Sequence, residues 1–258
     1  MMAYMGQPIT DIDRMPRGGP DASCVDRLLQ TDRLEYLDRD SDGDAANEAR
    51  KRSVIRALEW TGEFFGNTEK FARIVLDEVA DVPDPKILEL GSGHAGLSRK
   101  LLEWHPTAEV TVSDIEPQSV TAIEAGDLGE HPRAKVRVMD ATAIDVPDRH
   151  FDLAVFAFSF HHLPPSLASR VFAEGTRAAT KLVIIDLPRP PSPLHILRLA
   201  AMLPLAPVVP FVHDGVISSL RTYSPSALRA LAAHADPSIE VELRGGLMNP
   251  QVVVASRR

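Results

Sequence analysis

Cysteine is almost missing from this chain: Cys24 stands alone among 258 residues. An intramolecular disulfide is therefore excluded, and a reducing, cytoplasmic setting is the expectation. Positive charge is not in excess either, since 28 Lys and Arg face 36 Asp and Glu for a formal charge of -8. A broad electrostatic grip on nucleic acid needs clustered basic residues, so no nucleic-acid partner is expected. The N-terminus lacks the apolar core of a signal peptide, because Asp11, Asp13 and Arg14 interrupt it. A long apolar run is also lacking. The most apolar stretch, Ile196 to Val212, is broken by Arg198, Pro204, Pro207 and Pro210, so no membrane span is expected. Repeats and low-complexity tracts are absent. His161 and His162 are adjacent, without zinc-motif spacing, so no metal is expected.

What is present is an ordinary globular composition, 44% hydrophobic and 25% charged, long enough for one substantial core with appendages. Residues 1–24, with Pro8, Pro16, Gly18, Gly19 and Pro20, read as a flexible arm. A helical N-terminal segment follows over 25–82. Its first helix is expected from Val25 to Leu37, with Leu28, Leu29, Leu34 and Leu37 on one face. The acidic run from Asp38 to Asp44 breaks it. A second helix is expected over 45–61, with Val54, Ile55, Leu58 and Trp60 inward. A third begins near Asn67 as N-cap and carries Phe71, Ile74, Val75 and Val79.

The main domain, 83–258, opens on Lys86-Ile-Leu-Glu-Leu-Gly91-Ser-Gly93-His-Ala-Gly96, a buried strand running into a glycine turn and a helix. Glycines there allow positive φ and close approach to a ligand, and the helix start offers unpaired N–H groups. Further strands are predicted at 109–113, 134–139, 151–157 and 181–186, with helices between them. Pro117 and Pro164-Pro165 open two of those helices. Such alternation predicts an α/β fold with parallel strands and right-handed crossovers. A lid-like insert about 190–222 follows. Ser224 then caps a helix, and strands at 239–243 and 251–255 form an antiparallel hairpin.

Gly91-Ser-Gly93-His-Ala-Gly96 satisfies the G-x-G-x-x-G pattern, and Asp114 ends the second strand where a ribose-binding acid belongs. NAD and S-adenosylmethionine both fit those two features. Three others separate them. Glu89 precedes the glycines, where it would repel a pyrophosphate but favour an ammonium. Asp140 ends the third strand, within reach of an exocyclic adenine amine. Polar groups from Phe151 to Leu163 surround the carboxyl end of the fourth strand. These favour S-adenosylmethionine.

The pieces Leu88–Gly93, Val112–Ile115, Met139–Ala141 and Phe151–Leu163 resemble class I S-adenosylmethionine-dependent methyltransferases. The similarity is to the small-molecule type, such as the ubiquinone and menaquinone biosynthesis enzymes. The resemblance covers roughly residues 85 to 190. It implies a Rossmann-like three-layer sandwich whose seven-stranded, mostly parallel sheet ends in an antiparallel strand. It further implies Glu89, Gly91, Ser92 and Gly93 at the methionine end and Asp114 on the ribose. Ile115, Asp140 and Ala141 would meet the adenine, and Phe156 the methionine amine through its carbonyl. Where the family often has glycine this chain has Ala95, which fits only if its φ stays negative.

For the chemistry, His161 facing the site with His162 in support is the candidate base, and Asp186 the second candidate. His213, Asp214, Arg221, Tyr223 and Arg189 are further groups that could face an acceptor. The function expected is methyl transfer to the O, N or C of a small, partly hydrophobic metabolite. An NAD-dependent oxidoreductase and an inactive cofactor-binding partner protein are the alternatives. Base methylation usually resembles an Asn/Asp-Pro-Pro-aromatic motif, and Phe158-Ser-Phe-His-His162 stands in its place. Oligomeric state is open.

Overall fold

The computed structural model describes residues 11–38, 44–246 and 249–258. The strands are β1 (Lys86–Leu90), β2 (Glu109–Asp114), β3 (Ala134–Val138), β4 (Phe151–Ala157), β5 (Ala179–Asp186), β6 (Ile239–Gly246) and β7 (Asn249–Arg257). They form one sheet in the order β3-β2-β1-β4-β5-β7-β6. β1 to β5 pair in parallel; β7 runs antiparallel to both β5 and β6, so β7 alone is reversed. This is the three-layer α/β sandwich that the alternation of elements predicts.

The helices are α1 (Cys24–Leu28), α2 (Ala45–Phe65), α3 (Asn67–Glu78), α4 (Gly96–Trp104), α5 (Pro117–Glu124), α6 (Pro165–Ala178), α7 (Ser192–Met202), α8 (Pro210–Arg221) and α9 (Pro225–Ala235). Because strand side chains alternate, each central strand feeds two cores. Leu88, Leu90, Ala154, Phe156, Leu182 and Ile184 pack with Phe172 and Leu228 on one face. Ile87, Val110, Val112, Leu153, Val155, Val183 and Ile185 pack with Phe71, Val75, Leu97 and Leu101 on the other. Glu89 shares the second face with Ile87, and this brings it to α4.

The N-terminal part departs from expectation. Residues 1–10 lie outside the described residues, but 11–23 is packed rather than loose. Ile12, Met15 and Arg17 are buried, and Ile12 and Met15 join the core around Phe156 and Phe172. The helix expected over 25–37 ends at Leu28, which is 82% exposed, and Leu34 is 51% exposed. The backbone beyond Leu29 is irregular, with a turn closed by Asp38 N donating to Glu35 O, and the side chain of Glu35 is buried. In α2, capped by Asp44 accepting from Ala46 N and Asn47 N, Val54 is buried but Trp60 is largely exposed. The Leu58 side chain lies outside the described residues. Asn67 is the first residue of α3 rather than its cap; Gly66, at φ +58°, takes that position.

The apolar insert resolves into α7 and α8, each begun by a proline in its first turn. Ser224 caps α9 by accepting from Ala227 N, as its Ser-Pro sequence predicts. Among the described residues no helix is long and apolar enough to cross a membrane.

Candidate active site

The strand order reverses between β1 and β4, and in an open α/β sheet ligands bind at the carboxyl ends of the strands flanking that point. Gly91 follows β1 there. Its φ is +61°, and a Cβ on it would lie 2.6 Å from Phe156 Cε2, so no larger residue fits without displacing that ring. Gly93, at φ +54°, has open space where a Cβ would stand. Between them Ser92 donates its N–H to Ser113 O at 2.9 Å, while its buried hydroxyl has no partner. Ala95 has φ +56°, which corrects the expectation of a negative value. A non-glycine residue there costs about 1–2 kcal/mol; its methyl group is fully buried in the core beside Leu97 and Leu101.

Glu89 is buried against the first turn of α4, where its Oε2 accepts from Ser98 N at 3.0 Å and from the Ser98 hydroxyl. Burial pushes its carboxyl up to about 7, although both Ser98 contacts favour the ionised form. Asp114 ties the turn to β2: Oδ2 accepts from Gly93 N at 2.9 Å and Oδ1 from Glu116 N at 3.0 Å. Each carboxylate oxygen keeps accepting capacity for ribose hydroxyls. Ile115 is exposed beside it. Asp140 Oδ1 accepts from Thr142 N and Oγ1, both at 2.8 Å, and Ala141 packs on the core. The turn therefore presents open backbone at Gly93, an unpartnered hydroxyl at Ser92 and acids at or just after the ends of two successive strands.

β4 ends at a second strained residue, Phe158, with φ +56°, whose ring stacks on Phe71 at 5.0 Å. The 3-10 turn Phe160–His162 follows. Here the structure gathers the catalytic candidates. His161 Nδ1 lies 2.7 Å from Asp186 Oδ1, and His161 N donates to Asp186 Oδ2 at 2.8 Å. Asp186 thus holds both the ring and the backbone of His161. On the other side Glu35 Oε1 is 3.7 Å from His161 Nε2, and Glu35 Oε2 is 3.9 Å from His162 Nε2. His162 Nδ1 is 2.8 Å from Asp38 Oδ1. Burial alone would lower the pKa of His161, but Asp186 and Glu35 outweigh it and raise it to about 9. Burial would raise Glu35 and Asp38, yet the neighbouring imidazoles, with the Ser218 hydroxyl on Glu35 and Arg221 on Asp38, bring both below the usual carboxylate range.

Glu35 and Asp38 were not legible as site residues, since the surrounding sequence reads as a helix followed by an acidic break. Arg17 was missed as well. Its Nη1 donates to the carbonyls of His161 (3.0 Å), Leu163 (2.9 Å) and Arg221 (2.9 Å). Arg221 pairs with Asp38 at 2.6 Å and donates to His162 O, and Tyr223 donates its hydroxyl to Leu163 O. Arg189 donates to the carbonyls of Thr222, Asp26 and Leu29. Arg17, Arg221 and Tyr223 brace the loop after β4, whereas Arg189 ties α1 to Thr222. Asp214 accepts from Tyr36 N, and His213 Nδ1 lies 2.9 Å from Asp214.

The cluster forms the polar end of a cavity of about 530 Å3. Leu37, Val54, Phe158, Met202 and Phe211 supply apolar walls, with Asp214 and Ser218 nearer the polar end.

Residues 87–181 match the methyltransferase domain family. The demethylmenaquinone methyltransferase of Thermus thermophilus is 26% identical over 195 residues, covering 69% of this chain and 86% of that protein. Over residues 87–181 the chain is thus similar to methyltransferase domains, and its fold is that of the S-adenosylmethionine-dependent methyltransferases. The matched stretch of the methyltransferase contains the glycine turn, both strand-end acids and the His161–His162 pair. Human N-acetylserotonin methyltransferase, solved with S-adenosylmethionine, superposes with a TM-score of 0.57 at 16% identity, over 91% of this chain and 65% of that one. An eEF1A lysine and N-terminal methyltransferase homologue of Drosophila pseudoobscura is 30% identical over 109 residues, 42% of this chain and 15% of that protein.

Proposed function

We propose that this methyltransferase methylates the O, N or C of a small, partly apolar metabolite bound between β4, α2, α7 and α8. The observation that carries the reading is the cavity of about 530 Å3, apolar along Val54, Phe158, Met202 and Phe211 and closed at one end by Glu35, His161 and His162. Its size suits a small organic molecule. Two of the relatives are named for small acceptors, demethylmenaquinone and N-acetylserotonin.

S-adenosylmethionine, when bound, supplies an electrophilic methyl group on a sulfonium. Glu89, Gly91, Ser92 and Gly93 are the residues we assign to its methionine end. Asp114, Ile115, Asp140 and Ala141 are assigned to its adenosine, and Phe156 packs beneath Gly91. His161, fixed by Asp186, faces the acceptor with His162 beside it. As the acceptor's lone pair forms the new bond to carbon and the carbon–sulfur bond breaks, the ionised Glu35 carboxylate beside the two imidazoles receives the acceptor's proton. The remaining acceleration comes from alignment and exclusion of water by the apolar walls. α7 and α8, residues 192–221, form the acceptor-side wall.

The test is calorimetry with S-adenosylhomocysteine and with NAD, followed by a panel of phenolic, amine and lysine-peptide acceptors assayed for methyl transfer. Tight S-adenosylhomocysteine binding with turnover of a small acceptor is the expected result. Preferential NAD binding, or turnover of the lysine peptide alone, overturns the proposal.

A further inference from the structure

We propose that Glu35, His161 and His162 form a site for one divalent transition-metal ion of the zinc type at the polar end of the acceptor cavity. The proposal deepens the acceptor reading, because it names how that end activates the acceptor; binding of the ion itself does not depend on methyl transfer.

The geometry has three parts. First, adjacent residues of a 3-10 turn ordinarily point in different directions, yet these rings lie side by side, with centroids 4.3 Å apart and planes at 35°. Nδ1 of His161 is hydrogen-bonded to Asp186 at 2.7 Å, and Nδ1 of His162 lies 2.8 Å from Asp38, out of line for a hydrogen bond. That leaves both Nε2 atoms turned to Glu35. Secondly, the Nε2 to carboxylate distances of 3.7 and 3.9 Å are too long for hydrogen bonds. They approach the separation of about 3.4 Å that two ligands have across a tetrahedral ion with bonds near 2.1 Å. One ligand atom from each residue lies within 4.8 Å of the others. Thirdly, two of the ligands are themselves oriented by hydrogen bonds, His161 by Asp186 and Glu35 by the Ser218 hydroxyl at 2.7 Å, while His162 has Asp38 within 2.8 Å. Carboxylate–imidazole–metal chains of this kind fix the tautomer and sharpen the ligand.

Charge agrees with geometry. Three carboxylates surround the two rings. Arg221 is spent on Asp38, and Arg17 on backbone carbonyls and on Asp32 at 3.6 Å. Among the described residues the positive groups facing Glu35 and Asp186 are the imidazoles, and an ion would add positive charge there. Two imidazoles with one carboxylate suit Zn2+, Co2+ or Fe2+ rather than the all-oxygen shells of Mg2+ or Ca2+. Because the same three residues line the cavity, open coordination positions would face the acceptor, as in catalytic zinc sites. An acceptor oxygen held there would lose its proton more easily, and His161 Nε2 would serve as ligand rather than base. The sequence pointed away from a metal because two ligands are neighbours and the third comes from the far N-terminal segment.

The experiment uses untagged protein stripped by a chelator and then titrated with Co2+, or with Zn2+ in competition with a chromogenic chelator. One equivalent bound, with visible Co2+ d–d absorption of four- or five-coordinate type, is expected. Glu35→Gln and His162→Gln should each weaken binding at least tenfold, and Asp38→Asn between tenfold and a hundredfold. Affinity for S-adenosylhomocysteine, measured on the same samples, should stay unchanged and so report intact folding. Sub-stoichiometric binding by the parent protein, or full affinity in His162→Gln, overturns the metal site. If stripped protein still binds S-adenosylhomocysteine and methylates its acceptor at the full rate, the ion's role falls while the methyltransferase reading stands.

Discussion

At the scale of single residues, Gly91 and Asp114 do different work in the same turn. Gly91 is a steric necessity, since any side chain meets the Phe156 ring as well as an unfavourable φ. Gly91→Ala is expected to lose about 1–3 kcal/mol of stability by urea titration, together with most S-adenosylhomocysteine affinity by calorimetry. Asp114 holds Gly93 and Glu116 through backbone N–H groups and is the proposed ribose ligand. Asp114→Asn keeps the shape but removes the charge, so affinity should fall about tenfold to a hundredfold. An unchanged dissociation constant would refute the assignment. Both residues were readable in the sequence, because glycine and a strand-end acid leave local signatures. The strain at Ala95 was not, because the pattern shows which residue stands there and not its φ. Glu35 was hidden for another reason: its meaning lies in the partners it meets, His161, His162 and Ser218, all remote in sequence.

Among elements, the segment 11–17 acts on the loop after β4. Arg17 joins three carbonyls from two other segments, and its guanidinium stacks on Tyr223 at 4.4 Å. Arg17→Met leaves those buried carbonyls short of a donor, for a loss of about 2–4 kcal/mol. Acceptor turnover should fall while S-adenosylhomocysteine affinity holds, a split that separate kcat and binding measurements would show. A parallel loss of both would mean that the segment supports the whole fold instead. The central strands, the prolines at helix starts and the Ser224 cap were legible because each carries its own periodicity or capping chemistry. The arm and the 25–37 stretch were misread. Apolar spacing there mimics a helix, whereas tertiary contacts through Ile12, Met15, Arg17 and Glu35 decide the backbone.

For the molecule as a whole, Glu89 makes stability depend on pH. Its carboxyl titrates near 7 in the fold and near 4.5 in the unfolded chain, since burial disfavours the charge. Below pH 4.5 the folded protein has the full benefit of the neutral acid. Between 4.5 and 7 the unfolded chain releases its proton first, so stability falls across that window and levels off above it. Glu89→Gln lacks this slope. The difference in unfolding free energy between variant and parent should therefore move by up to about 3 kcal/mol in the variant's favour from pH 4.5 to pH 8. A flat difference would show that Glu89 is ionised in the folded state throughout.

The sheet order also has a consequence in time. β7 is made after β5 and β6, yet it lies between them. From the completion of β5 at Asp186 until residues 249–257 emerge, β5 presents an unpaired edge of buried, apolar character and β6 has no strand to join. The nascent chain thus carries a sticky seam over that interval, and insertion of β7 closes it.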